Sequence, residues 1–292
     1  MAMRKNWTRD ELLIALNIYH KLNFGQLHAR QPVIVNLAEK MGRGANSLAM
    51  KLNNLASLDP VLKLRGIQGL SGASALDRSV WNEFHLDLNE TIPASEEALR
   101  QLFAAGESTV VEVLPKEGVK VKKAPPHGPT EFLASTKQRR GQEFFRDAVL
   151  NNFGGRCGVT QLALRELLVA SHILPWGMNE KERLNVRNGL ALSRLYDAAF
   201  DRGLIAFDEN LKLLLSKRLK QELPQRAVAE SFAAYAGQCL ILPNDATLPD
   251  LAFLSGYGCI HNAAECSTGF EKRVGREKGL WEPSRIQIGR AS

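Results

Sequence analysis

The stretch "LLVASHILPW", residues 167–176, decides how the second half of this chain is read. Leu167, Leu168 and Val169 form an apolar run of strand type. Small residues follow, then His172, then Ile173, Leu174 and a Pro175-Trp176 stop. A run of this kind bounded by breakers reads as a short strand with His172 at its end. The chain has only six histidines in 292 residues, and one stands at that edge. Two readings are open. The imidazole is a core group satisfied by a backbone partner, or it is a general base, because its ordinary pKa near ~6.5 lets it accept a proton at neutral pH.

The sequence on either side extends the pattern. Upstream, "STKQRRGQEFFRDAVLNNFGG" (135–155) predicts a helix closed by Gly154-Gly155, and Cys157–Thr160 predicts a short strand and turn. Downstream lies "RNGLALSRLYDAAFDRGLIAFDENLKLLLS" (187–216). Here Asn188-Gly189 marks a turn, Leu190–Leu192 a strand, and Leu195–Arg202 a helix capped by Gly203. Leu204–Phe207 and Leu211–Leu215 then form a hairpin across Asp208–Asn210. The order is strand, His172, loop, Asn188, strand, and a helix carrying Asp197 and Asp201 on one face, four residues apart. Two carboxylates near a strand-end histidine suit a hard divalent cation, because Mg²⁺ takes oxygen ligands and completes its shell with water and substrate phosphate.

These motifs, taken in order, resemble the HNH, or ββα-metal, endonuclease domain, in its restriction-endonuclease-like branch. The resemblance rests on Ala170-Ser171-His172-Ile173 with Pro175-Trp176, on Arg183 with Asn188-Gly189-Leu190 and Leu192, and on Asp197 with Phe200-Asp201 and Gly203-Leu204-Ile205. The flanking "RRGQEFFRDAVL" and Cys157-x-x-Thr160 are similar as well, so the likeness spans 136–216. It implies that His172 deprotonates the attacking water and that Asn188 holds the loop and orients the histidine. It also implies that Asp197, at the place of the family's final His, binds metal with Asp201. Two departures stand out. No third histidine is present, since the positions in question hold Leu195, Tyr196 and Asp197, and Ser171 stands where many relatives carry a metal-binding Asp or His. Aspartate in place of histidine shifts preference from Zn²⁺ and Ni²⁺ towards Mg²⁺ or Mn²⁺.

Composition sets the outer limits. Apolar content of 45% and charged content of 24% are those of a globular chain long enough for two domains. No segment approaches the ~18 apolar residues of a membrane span. The polar N-terminus lacks the core of a signal peptide, which leads us to expect a cytoplasmic protein. The four cysteines include no C-x-x-C pair, against a disulfide framework or a four-thiolate zinc knuckle. Net charge is +7, compatible with a polyanionic partner.

The N-terminal region predicts helices. Thr8-Arg9-Asp10-Glu11 is a capping box ahead of Leu12, Leu13, Leu16 and Tyr19 at helical spacing. Gln31-Pro32 opens a second helix that stops at Gly42, and a third starts near Ala45. In "LAEKMGRGANSLAMKL" (37–52), Ala38, Gly42 and Leu48 have the spacing of a helix-turn-helix. The second helix would show Arg43, Asn46, Ser47 and Lys51 outward, towards phosphates and base edges. An ordinary helical hairpin has the same spacing. Lys122, Arg139, Arg140 and Arg183 complete the expected DNA contacts, the first three within a Lys/Arg-rich stretch (116–140) that reads equally as a solvated face.

The expected architecture is therefore α+β: a helical, helix-turn-helix-like domain over 1–95, a basic Pro/Gly/Lys linker over 96–134, a ββα-metal nuclease domain over 135–255, and a loosely ordered tail over 256–292 that holds Cys259, His261 and Cys266. The expected function is metal-dependent cleavage of double-stranded DNA, with Mg²⁺ or Mn²⁺, in a bacterial restriction or defence role. The alternative is an inactive HNH-fold DNA-binding regulator, and RNA is a third substrate. Protein partners, a homodimer among them, stay open.

Overall fold

The protein is described by a computed structural model over residues 6–106, 109–123 and 134–255, side chains at 134–139 excepted. Thr8 caps the first helix, α1 (Arg9–Lys21), as its sequence predicts. Its hydroxyl accepts from the Glu11 amide at 3.2 Å, and the Glu11 carboxylate accepts from the Thr8 amide at 2.9 Å. Every residue from Leu12 to Tyr19 is buried, so α1 is a core helix and not a surface one. It touches α3 (Ala45–Ala56), α5 (Ala75–Leu86), α6 (Leu88–Leu102) and α7 (Ala134–Asn152).

α2 (Pro32–Lys40) precedes α3 across Gly42, whose φ of +62° is the left-handed turn that the spacing calls for, and Ala38 and Leu48 are buried as expected. α4 (Pro60–Leu64) is a single capped turn.

The linker reading of 96–134 needs correction. α6 runs to Leu102, and β1 (Thr109–Leu114) pairs antiparallel with β2 (Gly118–Lys123). Val111 and Val113 point inward and are buried, with the half-buried Val110 and Glu112 alternating between them. The hairpin docks on two helices. The Val113 amide donates to Asp147 of α7 at 2.9 Å, and the Val119 amide donates to Asn36 of α2 at 3.1 Å. Residues 124–133 lie outside the described residues.

A buried ionic cluster joins the two halves. The Lys21 ammonium, whose side chain is 0% exposed, sits 2.5 Å from Glu96 of α6 and 3.8 Å from Asp147 of α7. Asp147 also accepts from Arg165 at 2.7 Å, and Arg165 donates to Glu112 of β1 at 2.7 Å. Burial pushes the Asp147 carboxyl up, while Lys21 and Arg165 pull it down. Charges this far from water persist only when paired, so α1, α6, β1 and α7 are held in one arrangement.

The C-terminal half follows its expected order. β3 (Leu168–His172) pairs antiparallel with β4 (Gly189–Ser193), with Ser171 opposite Leu190 and His172 opposite Gly189. α8 (Arg194–Asp201) follows directly, and β5 (Ile205–Phe207) pairs with β6 (Leu213–Leu215). α9 (Lys217–Gln221) and α10 (Arg226–Phe232) complete the described elements, which make an α+β fold. Cys157–Thr160 is a turn only, not the strand-and-turn of the sequence reading; the buried Cys157 sulfur accepts from the amides of Thr160 and Ser193. Residues 256–292, with Cys259, His261 and Cys266, lie outside the described residues. Among the described residues no helix is long and apolar enough to cross a membrane.

Candidate active site

The β3–β4 hairpin lies between α7 and α8, and this sandwich sets the position of His172. Gly189 permits the approach on the α7 side: a Cβ there would stand 2.3 Å from Val149 and 2.9 Å from Phe145, too close for any other residue. With Gly189 in place, the His172 ring stacks on Phe145 at 3.9 Å between centroids and 8° between planes, with Trp176 edge-on at 5.5 Å.

The protonation of the imidazole follows from its partner. Nε2 lies 2.9 Å from the backbone carbonyl of Arg183, an acceptor only, so Nε2 carries the hydrogen and donates. In the neutral ring Nδ1 then keeps its lone pair. Burial pulls the His172 pKa below its ordinary value, against the opposing pull of the Arg183 carbonyl and the Asp197 carboxylate. The ring is therefore neutral at pH 7 and held in one tautomer. The core-histidine reading and the base reading meet in the same geometry, since the backbone bond that satisfies one nitrogen frees the other.

Asn188 is buried and spends its side chain on the loop between the strands. Its Oδ1 accepts from the Leu174 amide at 2.7 Å, and its Nδ2 donates to the carbonyls of Leu174 and Glu182 at 3.3 and 3.0 Å. Asn188 thus ties the end of the loop back to its start at Leu174 and to Glu182, the residue before Arg183. Arg183 adds a second tie: its Nε donates to the Trp176 carbonyl at 2.7 Å and its guanidinium packs over the Trp176 ring.

Asp197 stands half-buried in the first turn of α8, and its charge bears on His172. Asp201 lies exposed at the last residue of the same helix. Ser171 is buried, and strand alternation turns it to the face opposite His172, so the hydroxyl is not brought to the site. Tyr196, one of the residues standing where a third histidine is expected, is a core residue whose hydroxyl donates to the Ser231 carbonyl.

An antiparallel hairpin and helix that bring a strand-end His, a loop-pinning Asn and a helical Asp together make a ββα unit, and residues 157–208 match a family model described as HNH endonuclease. The chain carries an HNH endonuclease domain. Comparison of the chain with curated proteins finds no match. The HNH domain is a nuclease module that acts on DNA, and its matched residues cover all of β3, β4, α8 and β5.

Outside the HNH domain, the expected DNA contacts divide. Asn46 is exposed on α3. Lys51 is not: its ammonium is buried between the two Asp77 oxygens at 2.7 and 2.8 Å and lies over the Trp7 ring. Arg43 is likewise taken, with its guanidinium over Trp7 at 4.0 Å and bonded to Glu11 at 2.7 Å. Helical spacing showed which face these residues share, but not that Asp77 and Glu11 fold back onto it. Arg140 pairs with Glu97 at 2.8 Å, while Lys122 is exposed and pairs with Glu112. The Arg139 side chain lies outside the described residues. The stacking of Phe145 on His172 is the contact at the candidate site that sequence reasoning missed. "EFF" at 143–145 reads only as apolar helix spacing, and nothing in it says which ring meets the histidine.

Proposed function

We propose that this protein is a divalent-metal-dependent DNA endonuclease, with His172 as general base and Asp197 as the carboxylate that holds the metal. The observation that carries this reading is the 2.9 Å bond from His172 Nε2 to the Arg183 carbonyl, which leaves Nδ1 unprotonated and available to a water molecule. Asn188 and Arg183 keep the loop and its carbonyl in place, and Phe145 fixes the plane of the ring.

The donor set decides which ion fits. Among the described residues no group of three or more His, Cys, Asp and Glu is assembled for a metal. Zn²⁺ usually takes three or four protein ligands, mostly His and Cys, and the described residues bring together no such set. Mg²⁺ or Mn²⁺ takes one or two carboxylates and fills its shell with water and substrate phosphate, which fits Asp197, with Asp201 as a second carboxylate on the same helix. A cation bound there would supply charge stabilisation for the phosphate in the transition state. His172 accepts the proton of the attacking water at Nδ1, and burial keeps the imidazole neutral between turnovers.

The likeness of the motif string to the restriction-type branch supports double-stranded DNA as the substrate and a restriction or defence role. The test is nicking of a supercoiled plasmid by the full-length protein with Mg²⁺, with Mn²⁺ and with chelator. Metal-dependent nicking supports the reading. Retardation of the plasmid without nicking in either metal would instead assign an inactive HNH-fold DNA-binding protein.

A further inference from the structure

A second site is built behind the HNH domain. Between α1, α4 and α5 on one side and the 184–187 segment on the other lies a cavity of about 330 Å³, within the range of sites that take small planar ligands. Its walls are aromatic. Trp81 and His85 lie 4.2 Å apart between centroids, His20 stacks on Phe84 at 5.5 Å and 14°, and Phe144 closes the α7 side. His85 reaches the surface although its ring packs against Trp81 and His20, so the edge of the aromatic wall meets solvent.

The polar groups of this cavity select a ligand class. Two carboxylates line it, Asp59 and Asp245, from opposite sides of the junction. Each already accepts from the chain, Asp59 from the Tyr19 hydroxyl at 2.6 Å and the Val61 amide at 2.8 Å, Asp245 from the Gly25 amide at 3.0 Å and the Asn23 amide group at 3.5 Å, and each carboxylate oxygen keeps a second lone pair. The arginine on the wall, Arg187, has its charge paired with Asp250 at 3.1 Å, while its buried Nε donor has no partner among the described residues and could meet a ring carbonyl. Aromatic faces with carboxylate acceptors and a neutralised arginine suit a flat ring whose edge donates N–H groups, and they disfavour a phosphate inside.

We infer that this cavity binds a nucleobase, stacked against the Trp81–His85 wall with its N–H edge towards Asp59 and Asp245, and with any sugar and phosphate left outside. Choosing a base among flat N–H donors rests on the nuclease reading, whereas the binding measured below does not depend on cleavage. The position ties the cavity to catalysis. Phe144 lines it while the next residue, Phe145, stacks on His172, and Leu184 lines it beside Arg183, whose carbonyl holds His172. An occupant would therefore contact residues adjacent in sequence to both supports of the base.

Two sources would present the same base, a free nucleoside or a base displaced from DNA, and the experiment has an arm for each. The first is calorimetric titration of the full-length protein with guanosine, adenosine, cytidine and thymidine. The second compares affinity for a duplex carrying one unpaired base with affinity for the same duplex fully paired. Val61→Trp fills the cavity, and Asp245→Asn removes one carboxylate charge while keeping an acceptor; melting curves confirm that each variant is folded. Nucleoside binding at micromolar to millimolar Kd that Val61→Trp weakens by at least about tenfold supports the proposal with a free ligand. A preference for the unpaired-base duplex that both variants reduce supports it with DNA as the source. Absence of both nucleoside binding and duplex preference, or binding that Val61→Trp and Asp245→Asn leave unchanged, overturns it. Failure of plasmid nicking with nucleoside binding intact would count against the nuclease reading alone.

Discussion

His172 and Phe145 stack face to face, 3.9 Å between ring centroids and 8° between planes, from elements 27 residues apart in sequence (172 − 145). Burial, to which that contact contributes, makes the imidazole harder to protonate, so the acid limb of the pH–rate profile should report it. Because the folded pKa of His172 is depressed, the base stays neutral as pH falls through ~6.5, the ordinary value, and activity is lost only below that. Phe145→Leu should move the acid limb upward towards ~6.5. A limb that stays in place in this variant would show that the ring stack does not set the pKa.

Asn188 satisfies three backbone groups of one loop from a buried position. Asn188→Ala strands them, at about 1–3 kcal/mol for a buried unsatisfied group. Both the melting temperature and the cleavage rate should fall, because the loop carries the carbonyl that holds His172. Loss of rate with no loss of melting temperature would mean that Asn188 acts on the substrate instead.

Much of the nuclease domain was legible in the residues, and the reasons are local. Strand breakers bracket His172, Gly203 ends α8 at a φ of +63°, and the i, i+4 spacing of Asp197 and Asp201 needs only helix geometry. Failures came where the deciding contact is distant in sequence. The hairpin over 109–123 carries the alternation of a strand, but its lysines, proline and glycine resemble a linker until α2 and α7 supply the surface on which Val111 and Val113 are buried. Lys51 looked outward on its own helix and is claimed by Asp77, 26 residues on.

The Lys51–Asp77 pair therefore separates stability from DNA affinity. Removing one partner of a buried ion pair costs on the order of 3–5 kcal/mol. Lys51→Met should lower the melting temperature sharply, while the folded fraction binds DNA with parental affinity. Weaker DNA binding at unchanged stability would restore Lys51 as a DNA contact.

His20 and His85 face each other at 3.1 Å between their Nε2 atoms, and His85 Nδ1 donates to the Trp81 carbonyl. Only one of the two facing Nε2 atoms can carry a hydrogen, so the pair cannot be doubly protonated, and loss of hydration in the packed rings lowers both pKa values. Their stabilising contribution is complete above ~6.5 and is lost as pH falls below it, because the unfolded chain then binds protons that the folded chain refuses. Melting temperature should drop on going from pH 7 to pH 5, and a His20→Leu/His85→Leu variant should show a flatter dependence. An unchanged slope in that variant would remove the pair as its source.

Asp197 is the carboxylate whose charge reaches His172. Asp197→Ala should raise the concentration of Mg²⁺ or Mn²⁺ needed for cleavage, so that excess metal restores part of the rate. A loss that no metal concentration relieves would assign Asp197 to folding or substrate contact rather than to the ion.

The most direct measurement is the rate of plasmid nicking by His172→Ala beside the parent protein, at saturating Mg²⁺ and Mn²⁺, with DNA affinity and melting temperature recorded on the same samples. Removal of a general base should slow cleavage by roughly 10²–10⁴-fold while affinity and fold persist. Nicking at the parental rate would contradict the assignment and leave His172 as a core imidazole held by the Arg183 carbonyl.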